Sequence, residues 1–175
     1  DPDPRVRGRG LARLRAAGIA VECGVMQEEA AELNAGFFMR VKKGRPLVTL
    51  KCATTLDGRI ATHRGESQWI TGDTARAWVH GLRARHDAVM IGIGTALADD
   101  PMLTCRLPGL GDRSPVRIVI DGRLRLPLTS QLVRTATAVP TWLVTRAGGD
   151  AQRVNAYRQA GVEVLYDDSQ ERAGG

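Results

Sequence analysis

The chain has 175 residues, 43% hydrophobic and 25% charged, with a formal net charge of +6. That length suits one domain, or one plus part of another, and that balance excludes wholesale disorder. Only Lys42, Lys43 and Lys51 are lysine, so 22 of the 25 basic residues are arginine. Arginine's rigid fork suits phosphates, but a compositional preference for arginine on solvated faces gives the same count. Aromatics are 4% of the chain, with no arginine-plus-aromatic stripe, which argues against a nucleic-acid partner. Cys23, Cys52 and Cys105 have neither metal-ligand spacing nor a disulfide framework. No apolar run approaches the ~18 residues of a membrane span and no leader-like segment opens the chain. A cytoplasmic protein without a membrane partner is expected.

In chain order, Leu11 to Ala16 reads as a short helix stopped by Gly18, and Ile19, Val21, Cys23 and Val25 alternate as a strand does. Gln27 to Arg40 is a predicted helix, acidic at its start and basic at its end, closed by Gly44. Gly44-Arg45-Pro46 is the best linker candidate. Beyond it, Leu47–Ala53 is a predicted strand, residues 62–68 a polar loop, and Asp73 onward an amphipathic helix with Ala75, Trp78, Val79 and Leu82 on one face. Apolar runs at Ala88–Ile93, Val116–Ile120 and Thr141–Thr145 are predicted strands. Asp150–Ala160 is then a helix and Val162–Tyr166 a last strand. Strands alternating with helices imply an α/β fold, a largely parallel sheet covered by helices on both faces.

No Gly-x-Gly-x-x-Gly opens a helix after the first strand, so a Rossmann dinucleotide site is unsupported. Gly92-Ile93-Gly94-Thr95 fits either a backbone approaching a phosphate or an ordinary tight turn. Gly65 to Gly72 sets Trp69 between Ser67 and Thr71 just ahead of a helix, either a core plug or a pocket wall beside polar donors. In Thr95 to Arg106, the adjacent Asp99 and Asp100 near an Arg repel unless they have partners; the alternative is a helix C-terminus with an acidic turn before Pro101.

Together the segments Thr54 to Ala61, Gly65 to Thr71, Leu82-Arg83-Ala84, Thr95 to Arg106 and Arg117 to Asp121 resemble the reductase domain of the bifunctional riboflavin-biosynthesis deaminase/reductase family. Asp1 to Leu11, Ala17-Gly18-Ile19, Glu29-Ala30 and Leu33 to Phe38 look like the tail of that family's cytidine-deaminase-like domain. The resemblance implies a remnant of the deaminase domain over 1–45, with its C-terminal strand and helices, and an incomplete dihydrofolate-reductase-like domain over 46–175. The family's zinc centre needs His-x-Glu and Pro-Cys-x-x-Cys, and neither occurs here, so no zinc and no deamination are expected of this chain. A later Glu and a glycine-rich stretch complete the family's reductase site. Residues 1–175 stop before them, so little turnover is expected of this stretch alone.

The activity implied is NADPH-dependent reduction of 5-amino-6-(5-phosphoribosylamino)uracil to its ribitylamino counterpart, with the ribose opened to an electrophilic C1′. By the same resemblance, Ala53, Trp69, Thr95, Asp99 and Gly122 contact NADP(H). Ser67, Arg83, Leu103 and Arg106 hold the substrate, the two arginines meeting its phosphate. Lys51 is a candidate to orient or protonate the reacting group, with a solvated lysine the alternative. His63, His80 and His86 read as surface or packing residues. A homodimer or higher assembly is also implied. A related reductase of another pyrimidine or pterin, or a non-catalytic fragment, are the competing readings.

Overall fold

The computed structural model describes residues 2–67 and 70–167. The chain divides into two compact units, Asp1–Ala53 and Thr54–Gly175. In the first, the opening helix forms as α1 (Arg9–Ala16), and Gly18, at φ 72, follows it. The helix expected over 27–40 is two helices, α2 (Gln27–Leu33) and α3 (Ala35–Lys43). Asn34 interrupts them: its side-chain Nδ2 donates to the Ala30 carbonyl at 2.8 Å, offering the backbone a local alternative to the helical ladder. Residues 19–25 and 47–53, expected as strands, are irregular. Alternation decides which side chains share a face, but a strand also needs a neighbour for its N–H and C=O groups. Among the described residues no strand pairs with either segment.

The second unit follows the expected alternation from residue 73 onward. Its elements are α4 (Asp73–Arg85), β1 (Ala88–Gly92), α5 (Ile93–Asp99), β2 (Val116–Ile120), α6 (Gln131–Arg134), β3 (Thr141–Arg146), α7 (Ala151–Gln159) and β4 (Glu163–Asp167). Gly72 occupies the cap position of α4, and Asp73 sits in the first turn. The four strands pair in the order β1-β2-β3-β4, all parallel, with Gly92 beside Ile120 and Ile120 beside Val144. Their carboxyl ends therefore form one edge. Asp150 caps α7, its carboxylate accepting from the N–H groups of Gln152 and Arg153 at 2.9 and 3.2 Å.

One face of the sheet is sealed. Val119, Leu143 and Val164 pack there with Ile93 and Ala96 of α5, Leu132 and Val133 of α6, and Val154 and Tyr157 of α7. The other face carries Met90, Ile118, Ile120, Trp142 and Val144, with Met90 62% and Ile120 40% exposed. Cover on both faces, expected from the apolar runs, is thus complete on one face only among the described residues. Gly161, at φ 86, turns the chain from α7 into β4 against Thr137, where a Cβ would lie 2.8 Å from Cγ2.

The sealed face also holds a charge. Arg117, in the middle of β2, is fully buried. Its Nη1 donates to the Met102 carbonyl (3.2 Å) and Thr135 Oγ1 (2.8 Å). Nη2 reaches the carbonyls of Leu132, Thr135 and Val139 and the hydroxyl of Thr141. Burial pushes its pKa down to about 10, so it stays charged at neutral pH. Replacing a buried hydrogen-bonded cation strands its neutral acceptors, each at a cost of about 1–3 kcal/mol. Arg117→Met is therefore expected to lower the urea-unfolding free energy by roughly 1–3 kcal/mol or more. A loss below about 1 kcal/mol contradicts the role given to this side chain.

Candidate active site

The segment from Asp100 to Arg106 is held at nearly every residue. Asp100 and Leu103 both take left-handed backbone conformations, φ 37 and 56, although neither is glycine, and Leu103 is only 6% exposed. Such conformations persist where surrounding bonds over-determine them. Here the Asp100 carboxylate accepts from the Gln131 N–H at 2.8 Å, and Arg117 holds the Met102 carbonyl. Arg83 Nη1, on α4, donates to the Thr104 carbonyl at 3.1 Å. The Cys105 N–H donates to Ser114 Oγ at 3.0 Å, its thiol to the His80 carbonyl at 3.4 Å, and the Arg106 N–H to His80 Nδ1 at 3.2 Å. Arg83 and Arg106 thus come from a helix and a loop to one place. Burial, then the neighbouring Arg106 charge, lower the pKa of Arg83. Neither arginine forms an ion pair with a carboxylate among the described residues. Two neighbouring arginines without a counter-charge are suited to receive an anion.

The remaining candidates distribute around the second unit. Ser67 is exposed and lines a cavity of about 800 Å³ with Thr54, Thr55, Thr62 and Glu66. Thr95 and Asp99 stand, exposed, on α5, which leaves the carboxyl end of β1. Gly122 follows β2 at the same edge. A Cβ there would meet Arg146 Nε at 3.3 Å, so the bare backbone is what admits the Arg146 side chain across it. Ala53 is half-buried and Lys51 exposed, and both belong to the first unit. Trp69 lies outside the described residues.

The motif-bearing second unit coincides closely with a known family: the model of the RibD C-terminal domain matches residues 46–171. The chain belongs to the RibD C-terminal domain family. It is 47% identical over 165 residues to the riboflavin biosynthesis protein RibD of Actinobacillus pleuropneumoniae, covering 94% of this chain and 43% of that protein. With the RibD protein of Bacillus amyloliquefaciens the identity is 42%, over 94% of this chain and 44% of that one. The chain spans less than half the length of these curated relatives. Among solved structures, RibD of Acinetobacter baumannii superposes with a TM-score of 0.79 at 38% identity, over 96% of this chain and 46% of its own. A Thermotoga maritima protein described as a diaminohydroxyphosphoribosylaminopyrimidine deaminase/5-amino-6-(5-phosphoribosylamino)uracil reductase gives 0.76 at 34%, over 97% and 52%. The α/β fold with a parallel sheet is that of the RibD reductase domains.

Within this RibD-type unit, sequence reasoning passed over His80. It is one helical turn before Arg83 on α4, and that i, i+3 spacing was the available signal. Its Nδ1 faces the Arg106 N–H, Arg83 Nη1 (3.4 Å) and the Thr104 carbonyl (3.1 Å). Two donors against one acceptor favour a neutral ring with Nδ1 accepting, the Thr104 carbonyl being served by Arg83. Burial, then the charges of Arg83 and Arg106, push the His80 pKa below its ordinary value. Folding therefore disfavours protonation of this ring. Its contribution to stability is complete above about pH 6.5 and falls as the pH drops through the interval between the unfolded and folded values. Asn keeps an acceptor near Nδ1 but does not titrate. Thermal unfolding at pH 7.5 and 5.5 is expected to show a smaller pH-dependent drop in His80→Asn than in the parent chain, and an unchanged drop contradicts the assignment.

Proposed function

We propose that the second unit carries out, within its parent protein, the NADPH-dependent reduction of 5-amino-6-(5-phosphoribosylamino)uracil in riboflavin biosynthesis. The observation that carries this reading is the Arg83 and Arg106 pair, brought together without a carboxylate partner beside the buried, backbone-strained Leu103. A ribose 5-phosphate dianion supplies the missing charge, and Leu103 and Ser67 bound the rest of the substrate. Membership of the RibD C-terminal domain family supports the reaction class.

The chemistry follows from the substrate. Opening the ribosylamine gives a C1′=N bond; hydride adds to C1′ and a proton to the nitrogen, leaving the ribitylamine and oxidised cofactor. A reduced nicotinamide supplies that hydride when bound. The chain's residues bind, orient and exclude water around the reacting atoms. Thr95, Asp99 and Gly122 fit a dinucleotide laid along the carboxyl edge of β1 and β2, where ligands of open parallel sheets bind. Trp69 is a further cofactor contact in this reading. Residues 1–45 are read as the end of a cytidine-deaminase-like domain whose zinc centre lies in the rest of the parent protein.

The test is substrate-dependent NADPH oxidation by the full-length parent protein. A hydrogen bond to a charged group is worth ~1.5–3 kcal/mol, about 10–100-fold. Arg106→Ala is expected to raise KM for the phosphorylated substrate by about that factor with a much smaller change in kcat. The effect should vanish with the dephosphorylated ribosylamino analogue. Equal losses on both substrates, or no turnover by the parent protein, contradict the reading.

A further inference from the structure

Arg83 and Arg106 stand on different elements, and what joins them is the ring of His80. Arg106 reaches the site from a loop. Its side chain is exposed and makes no ion pair among the described residues, so its backbone sets where the guanidinium starts. That backbone is held by His80, whose Nδ1 accepts from the Arg106 N–H at 3.2 Å across 26 residues of sequence. Arg83, one turn further along α4, brings Nη1 to 3.4 Å from the same nitrogen and to 3.1 Å from the Thr104 carbonyl. The half-buried His80 is tied to the loop a second time, since its backbone carbonyl accepts from the Cys105 thiol at 3.4 Å.

A neutral acceptor is the kind of group this junction needs. The Arg106 charge acts on Arg83 strongly enough to lower its pKa, so the two cations repel. A carboxylate between them would hold both, but its charge would cancel the field that draws an anion. An uncharged imidazole supplies one lone pair and no net charge, so it orders the two arginines and leaves both charges for a ligand. With Nδ1 as acceptor, the ring proton sits on Nε2. Without that acceptor the Arg106 N–H must find its partner in water, because a backbone donor does not stay unpaired. The guanidinium then moves with it.

We propose that His80 is a positioning residue for phosphate binding: its neutral ring fixes Arg106 through the main chain and steadies Arg83 through Nη1, acting through the two arginines rather than on the substrate. This rests on the reductase reading for the identity of the anion, whereas the hold of the ring on the two arginines does not.

Three variants of the full-length parent protein test the role. Asn places a carboxamide oxygen where Nδ1 stands, Gln reaches further, toward the place of Nε2, and Ala supplies no acceptor. His80→Ala is expected to raise KM for the phosphorylated substrate about three- to tenfold, the range for one ordinary hydrogen bond, with kcat nearly unchanged. His80→Asn should recover most of that loss and His80→Gln little of it. On the dephosphorylated ribosylamino analogue all three should match the unsubstituted protein. In proton–nitrogen correlation spectra of the 175-residue chain at pH 7.5, the His80 ring, assigned by its loss in His80→Asn, is expected as the Nε2–H tautomer. An unchanged KM in His80→Ala, equal losses on both substrates, an Asn variant as impaired as the Ala variant, or an Nδ1–H ring each overturns the proposal. Should His80→Ala fail to fold in thermal unfolding, the Asn and Gln variants carry the same comparison. A KM raised by Arg106→Ala but not by His80→Ala keeps the reductase reading and removes the positioning role. If the parent protein does not oxidise NADPH, calorimetric titration with ribose 5-phosphate decides. Weaker binding to His80→Ala than to His80→Asn then supports the positioning role, and equal binding or none overturns it.

Discussion

A single buried guanidinium ties the second unit together. Arg117 enters the core from the centre of β2, where an apolar side chain would ordinarily stand, and no carboxylate compensates it among the described residues. Its charge is spread over six oxygens, from Met102, Leu132, Thr135, Val139 and Thr141. Those acceptors belong to the segment from Asp100 to Arg106, to α6 and the turn after it, and to the start of β3. A dispersed hydrogen-bonded cation of this kind fixes relative positions more strictly than an apolar contact, because every misplacement strands an acceptor in low dielectric. The strained backbone at Leu103 follows from that anchoring, and the placement of Arg106 follows from Leu103.

The arginine excess resolves into distinct electrostatic environments. Arg117 is structural and sealed from water. Arg83 and Arg106 repel each other at the substrate segment, while Arg123, Arg125 and Arg153 gather at the opposite part of the carboxyl edge. Others, such as Arg59 with Asp57, form exposed ion pairs of small energetic weight.

Much of this was legible in the amino-acid order. From Asp73 to Asp167 the apolar runs and the Asp150 cap specify strands and helices, because each signal is local and the sheet is parallel. Residues 19–25 and 47–53 misled because alternation does not supply a pairing partner. Helix α5, seven residues with a glycine and a threonine, was legible only as the alternative of a helix ending at Asp99 and Asp100, and α6, with four, carries too little periodicity to register. At the site, the family motifs named Arg83, Leu103 and Arg106, but not what orients them. His80 looked like packing because its role depends on a loop 24 to 26 residues away. Arg117 was read as part of a motif, although a charged residue inside an apolar run was itself the sign of a buried network. Arg123, Arg125 and Arg153 looked like solvated charge because only the fold of 121–126 against α7 brings them together.

The central claim is that Arg83 and Arg106 receive the substrate's phosphate. A crystal structure of the parent protein with 5-amino-6-(5-phosphoribosylamino)uracil and oxidised cofactor bound tests it most directly. The account predicts the substrate phosphate within hydrogen-bond distance of Arg83 and Arg106. A substrate phosphate seated away from both arginines contradicts it.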